Sequence, residues 1–216
     1  MPRLTAGQFH VAGASFLTAT TLACVGIHPR AALCLAIALY FVYFGQILGV
    51  SYVHRKSNLV PVILFVLAVA PGTDEGMARR SPPWPLLIVQ AALAQSYLTS
   101  GFCKIREMGV RWAPGAQMQG ILLFHHLYYD LKASVWLAER IWLCRVLSVL
   151  ALTFELTFWT VLLVPEYGWV FLLAGLTFHL GTLGLMRIDY LTYQGPAFLV
   201  FLVGPIGRAL SGHWIK

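Results

Sequence analysis

Residues 90–120 read QAALAQSYLTSGFCKIREMGVRWAPGAQMQG, and this stretch decides what kind of protein the chain makes. An apolar helix beginning near Trp84 runs into a polar seam at Tyr97, Ser100, Gly101 and Lys104. Arg106, Glu107 and Arg111 follow, and then Trp112, Pro114 and Gly115 break the run. Ser100, Gly101 and Tyr97 precede Lys104 by four, three and seven residues, so on a helix they share its face. A lysine near membrane depth, beside glycine and hydroxyls, is costly to leave toward lipid and belongs in a bundle interior or a water-filled cavity. The competing reading is that Lys104 only ends the helix and snorkels to the headgroups.

The composition around this stretch sets the class. Of 216 residues, 59% are hydrophobic and 11% charged, and the mean hydropathy is +0.75. A soluble domain carries about 25% charged residues. The apolar runs are continuous rather than alternating, which excludes a transmembrane β-barrel. The expectation is an all-α, polytopic integral membrane bundle of about six transmembrane helices plus an interfacial amphipathic helix, forming a single domain over 1–216. The net charge of +7 then points to anionic lipid at membrane-flanking loops, not to nucleic acid. Cys24, Cys34, Cys103 and Cys144 lack metal or redox spacing and read as small apolar residues.

Outward from the central stretch, Phe9 to Ile27 and Ala31 to Val53 are the first two apolar runs, separated by His28-Pro29-Arg30. Leu59 to Ala70 is too short to cross about 30 Å of hydrocarbon alone. After a loop over Pro71 to Pro83 comes the helix that carries Lys104. Gln117 to Leu137 mixes His125, His126, Asp130 and Lys132 with Phe124, Tyr128, Tyr129 and Trp136, the pattern of a helix lying at headgroup level. Ile141 to Val164, Gly168 to Met186 and Gly195 to Leu210 complete the set. If alternate loops share a side, more basic residues fall with the N-terminus, which places it in the cytoplasm.

Ionisable residues inside these runs are the candidate site. Glu155 near mid-span costs on the order of 2.5–3.5 kcal/mol or more if ionised and alone, so it must be protonated, paired or facing a cavity. His179 is also mid-span and stays neutral at lower cost; a histidine there is more often a hydrogen-bonded core residue than a ligand. His125 and His126 point to adjacent helix faces and make no two-ligand geometry by themselves. There is no HExxH, CxxC, GxSxG or phosphate loop, and so no metal or nucleotide signal.

Taken together, these residues resemble the HTTM family, whose best-known member is the vitamin K-dependent γ-glutamyl carboxylase. The likeness starts at His54 and the short helix after it (HRKSNLVPVILFVLAVAP) and passes through Trp84-Pro85-Leu86 and Gln90. Tyr97, Gly101, Lys104, Trp112 and Gly115 follow, then Phe154-Glu155, Pro165, Phe178-His179 and Met186. The resemblance implies that Lys104 is a base acting on a reduced quinone, that His54 lies in the active region, and that His179 belongs to the corresponding Phe-His motif. A desolvated amine is a workable base because burial disfavours the ammonium form. The sequence departs from the family in having Cys103-Lys104 where the carboxylase has a Lys-Lys pair. Nothing in these 216 residues corresponds to the family member's large lumenal portion, and the expectation is that a partner protein takes its place.

Three functions follow from these readings. The first is an intramembrane enzyme in which Lys104, His54, His179 and Glu155 do acid–base chemistry on a lipophilic quinone- or isoprenoid-type substrate, with Tyr97, Ser100, Trp112 and Asp189 binding it. The second is a membrane terpene or meroterpenoid cyclase, opened by a protonated carboxylic acid at Glu155 or Asp189. The third is a non-catalytic maturation or chaperone subunit, whose polar residues serve helix packing.

Overall fold

The computed structural model describes residues 4–48, 59–70, 84–198 and 201. Among them every regular element is helical. The chain divides into two units, Met1–Val89 and Gln90–Lys216.

In the first unit, α1 (Ala6–Cys24) starts from a capping box. The Gln8 N–H donates to the Thr5 hydroxyl at 3.3 Å, and the Thr5 N–H donates to the Gln8 amide oxygen at 2.9 Å. Thr18 and Thr21 donate their hydroxyls to the Ala14 and Leu17 carbonyls at 2.9 and 2.8 Å, which satisfies them within the helix itself. Gly26 (φ +79°) and His28 (φ +42°) turn the chain, and Pro29, whose missing N–H is no loss at a first helical position, opens α2 (Pro29–Leu48). These helices pack as a hairpin, and α3 (Leu59–Val69) packs on α2. Ala19, Leu33, Ala36, Tyr40, Leu64 and Ala68 form the core, where the alanines let the helices approach closely.

The second unit takes α4 (Trp84–Met108) from Gln90 onward. A 3-10 turn over Gly109–Trp112 leads to Gly115, which caps α5 (Ala116–Tyr129). Next come α6 (Lys132–Ala138), α7 (Ile141–Thr157, prolonged by a 3-10 turn over Phe158–Leu162), α8 (Gly168–Met186) and α9 (Leu191–Phe198). Helices α4 and α7 run antiparallel. Tyr97 meets Phe158, Gly101 meets Glu155 and Leu156, and Gly115 lies against the backbone of Arg145. The Trp112 indole N–H donates to the Ser148 carbonyl at 3.3 Å on the same seam.

The single interfacial helix expected over Gln117 to Leu137 is two helices. Asp130 adopts a left-handed conformation (φ 49°, ψ 47°), which a short polar side chain tolerates, and its N–H closes α5 on the His126 carbonyl at 2.7 Å. The break folds α6 back, so that Met118, Leu122, Leu137 and Ala138 share a core with Cys144 and Met186. Ser134, fully buried, donates to the Leu185 carbonyl, and the Gln119 amide donates to the Ala138 carbonyl at 2.7 Å. Phe124, Leu127, Tyr128, Tyr129 and Trp136 are left facing outward. The Arg140 guanidinium stacks 4.0 Å from the Trp136 ring centre.

Three helices among the described residues are long and apolar enough to cross a bilayer: Trp84–Met108, Ile141–Leu162 and Gly168–Met186. The second of these has 22 residues, about 33 Å at 1.5 Å per residue, which matches about 30 Å of hydrocarbon. This is fewer than the number predicted from the apolar runs. Helix α1 has the length, 19 residues, but Gln8, His10, Ser15 and its threonines dilute its hydropathy. Most of the last predicted run lies outside the described residues.

Two outcomes follow from the α5–α8 region and its link to α7. A Cβ on Gly115 (φ +89°) would sit 2.5 Å from the Arg145 nitrogen. Gly115→Ala is therefore expected to cost at least about 1–3 kcal/mol from backbone strain, seen as earlier unfolding in detergent; an unchanged midpoint would refute so tight a crossing. Burial, partly offset by the Met186 carbonyl, holds the His125 imidazole below the ordinary histidine range. A lowered value in the folded state favours folding above about pH 6.5, and that contribution is lost as the pH falls through the folded value. His125→Gln should therefore shrink the drop in unfolding midpoint between about pH 7.5 and about pH 5.

Candidate functional site

The helical spacing that aligned Ser100 with Lys104 brings both to Glu155 of α7. The Lys104 ammonium donates to both Glu155 carboxylate oxygens, and to the Ser100 hydroxyl at 3.3 Å. Ser100 in turn donates to Glu155 Oε1 at 3.1 Å. The Trp112 ring centre lies 5.3 Å from Lys104 Nζ, within cation–π range. Gly101 permits the approach, since a Cβ there would lie 3.2 Å from Glu155 Cβ and 2.9 Å from Leu156 Cδ2. The Glu155 side chain is 4% exposed and that of Lys104 22%, so the carboxylate is sealed behind the amine. Trp112 is buried too, and its bond to the Ser148 carbonyl fixes the ring beside the ammonium.

About two turns before Lys104 on α4, Tyr97 enters a second network. Its hydroxyl is hydrogen-bonded to His179 Nε2 of α8, and it donates to Gln194 Oε1 of α9 at 3.2 Å. All three residues are buried. Phe154 and Phe158 wall the Tyr97 ring at centroid distances of 5.0 and 4.5 Å, and Phe198 lies 5.7 Å from the His179 ring. Gly175 makes room for Phe198, whose ring would come within 2.5 Å of a Cβ at that position.

The bundle thus brings together Lys104, Glu155, His179, Tyr97, Ser100 and Trp112. They meet as two adjacent packed networks along α4. Asp189 lies exposed in the link between α8 and α9. His54 lies outside the described residues. Two open grooves lie on the outside of the helices among the described residues. One is lined by Ala113, Pro114, Arg145 and Val149, the other by Leu98, Thr99, Phe102, Cys103 and Arg106. Neither is lined by Lys104, Glu155 or His179. Among the described residues no group of three His, Cys, Asp or Glu could hold a metal ion.

Gln194 was missed by sequence reasoning. It sits as a lone amide in the short stretch TYQGPAF, and its only signal was a polar residue entering an apolar run. Compared with known proteins, the chain matches no family model, no curated protein and no solved structure.

The ion pair makes a stability prediction. Glu155→Leu strands the ammonium against apolar neighbours and is expected to cost about 3–5 kcal/mol, whereas Lys104→Met combined with Glu155→Leu should recover most of that loss. Unfolding in mixed micelles measures both; a double variant as unstable as the single one would mean that the charges are not coupled.

Proposed function

We propose that the chain is a multi-pass integral membrane protein of about six membrane helices, in which Lys104, backed by Glu155, is the proton-transfer centre of an enzyme acting on a lipophilic quinone- or isoprenoid-type molecule. The observation that carries this reading is the gradient of exposure across the pair, with the carboxylate sealed and the amine partly open. Moving one proton across the hydrogen bond turns the ion pair into an uncharged amine and acid. The uncharged amine can then take a proton from a substrate O–H or acidic C–H, leaving an ammonium and a substrate anion beside it. Such a pair keeps its net charge at zero until substrate arrives, which suits a low-dielectric interior. A substrate dissolved in the bilayer would reach the open flank of Lys104 sideways, without a water-filled entrance.

The cyclase reading has less support, because Glu155 is engaged by Lys104 and Asp189 is exposed. The maturation-subunit reading is favoured by one observation: Lys104, Ser100 and Glu155 partner one another, as do Tyr97, His179 and Gln194.

The test uses protein in lipid nanodiscs, offered reduced quinones, isoprenoid epoxides and a membrane-lipid extract, with products followed by mass spectrometry. Lys104→Ala and Lys104→Arg should each lower turnover by at least about a hundredfold. Arginine keeps the pairing with Glu155 but does not give up its proton, so that variant stays folded while losing chemistry. A folded, active Lys104→Arg protein overturns the proton-transfer role, and no turnover by the wild type on any of these substrates moves the assignment to a maturation subunit.

A further inference from the structure

We propose that Gln194 is a positioning residue that sets the tautomer of His179 through Tyr97. The argument is one of proton inventory. The Tyr97 hydroxyl carries a single proton and faces two partners, His179 Nε2 and Gln194 Oε1. The amide oxygen of Gln194 has no proton to give, so it can only accept. Tyr97 donates to it at 3.2 Å. The Tyr97 oxygen is then left as an acceptor toward His179, and the hydrogen bond between them requires the proton to sit on Nε2. The opposite tautomer would set two acceptors, Nε2 and Oε1, against one hydroxyl proton and leave one of them unmet.

That mismatch is not relieved by solvent. Tyr97, His179 and Gln194 are 4%, 2% and 7% exposed. Phe154, Phe158 and Phe198 close around the Tyr97 and His179 rings. On the Tyr97 side of the ring, one buried acceptor without a donor is costly enough to favour the Nε2–H form about tenfold. The neutral imidazole therefore has its lone pair on Nδ1, and the proton order runs from His179 through Tyr97 to Gln194. Because the three residues come from α8, α4 and α9, the same chain of bonds ties α9 to the wall of the candidate site. The tautomer assignment stands on geometry alone. Only its use in proton transfer rests on the enzyme reading above.

The experiment reads the tautomer directly and needs no turnover. Protein labelled with nitrogen-15 at histidine is reconstituted in nanodiscs, and the His179 signals are identified by their loss in His179→Gln. One-bond coupling then shows which ring nitrogen carries hydrogen. The wild type should show Nε2–H. In Gln194→Met, which removes the acceptor at similar length, the Tyr97 hydroxyl is released toward Nε2 and the Nδ1–H form should take over. Gln194→Glu keeps an oxygen acceptor and should retain Nε2–H. Nδ1–H in the wild type, or the same tautomer in wild type and Gln194→Met, overturns the proposal. Should the methionine variant not fold, Nδ1–H in Gln194→Glu overturns it equally.

Discussion

The arrangement of the second unit depends on placing one ammonium and one carboxylate inside an apolar bundle. Neither Lys104 nor Glu155 could face acyl chains alone without a penalty on the order of 2.5–3.5 kcal/mol. Joined, they cancel charge and share the Ser100 hydroxyl. Every nearby feature serves that contact. Gly101 gives up its side chain so that α7 can come within reach, Trp112 offers its ring face to the ammonium, and the Ser148 carbonyl holds Trp112 in place. The network of Tyr97, His179 and Gln194 repeats the principle with neutral groups about two turns from Lys104. In both networks a polar side chain is tolerated because another answers it.

Part of this was legible in the sequence, and for a clear reason. Helical period alone aligns Tyr97, Ser100, Gly101 and Lys104, and the cost argument alone demands that Glu155 find a partner. Neither says which partner. Lys104 lies 51 residues away in sequence, and a histidine or a second carboxyl could have met the same demand. The Tyr97–His179 link was similarly open, since a buried imidazole needs some hydrogen bond but not a particular one. Close approach at Gly101 and Gly175 brings the helices of both networks into direct contact. Asp130 was invisible for another reason: a left-handed residue breaks a helix without disturbing the apolar pattern on either side of it.

The α5–α6 elbow carries the contrast between the inside and outside of the bundle. Its inner side is sealed by Ser134, Gln119 and the Met118–Leu122–Met186 cluster, with backbone carbonyls as the acceptors. Its outer side shows Tyr128, Tyr129 and Trp136 beside Arg140, residues with apolar bodies and polar tips. Such side chains suit the boundary between headgroups and hydrocarbon. The segment packs where α7 begins and α8 ends, sharing a core with Cys144 and Met186.

The Gly101 contact has a consequence for how the helices choose their orientation. Helix α8 is apolar on nearly every side, His179 and two threonines apart; in lipid, a greasy cylinder of this kind can rotate about its axis at little cost. A turn of one residue, about 100° and 1.5 Å, would carry Glu155 off the α4 seam and into hydrocarbon, and the same step would take His179 away from Tyr97. The few polar side chains thus act as an angular key. They contribute modestly to holding the helices together, but they select one rotational setting from many that hydrophobicity alone would leave nearly equal.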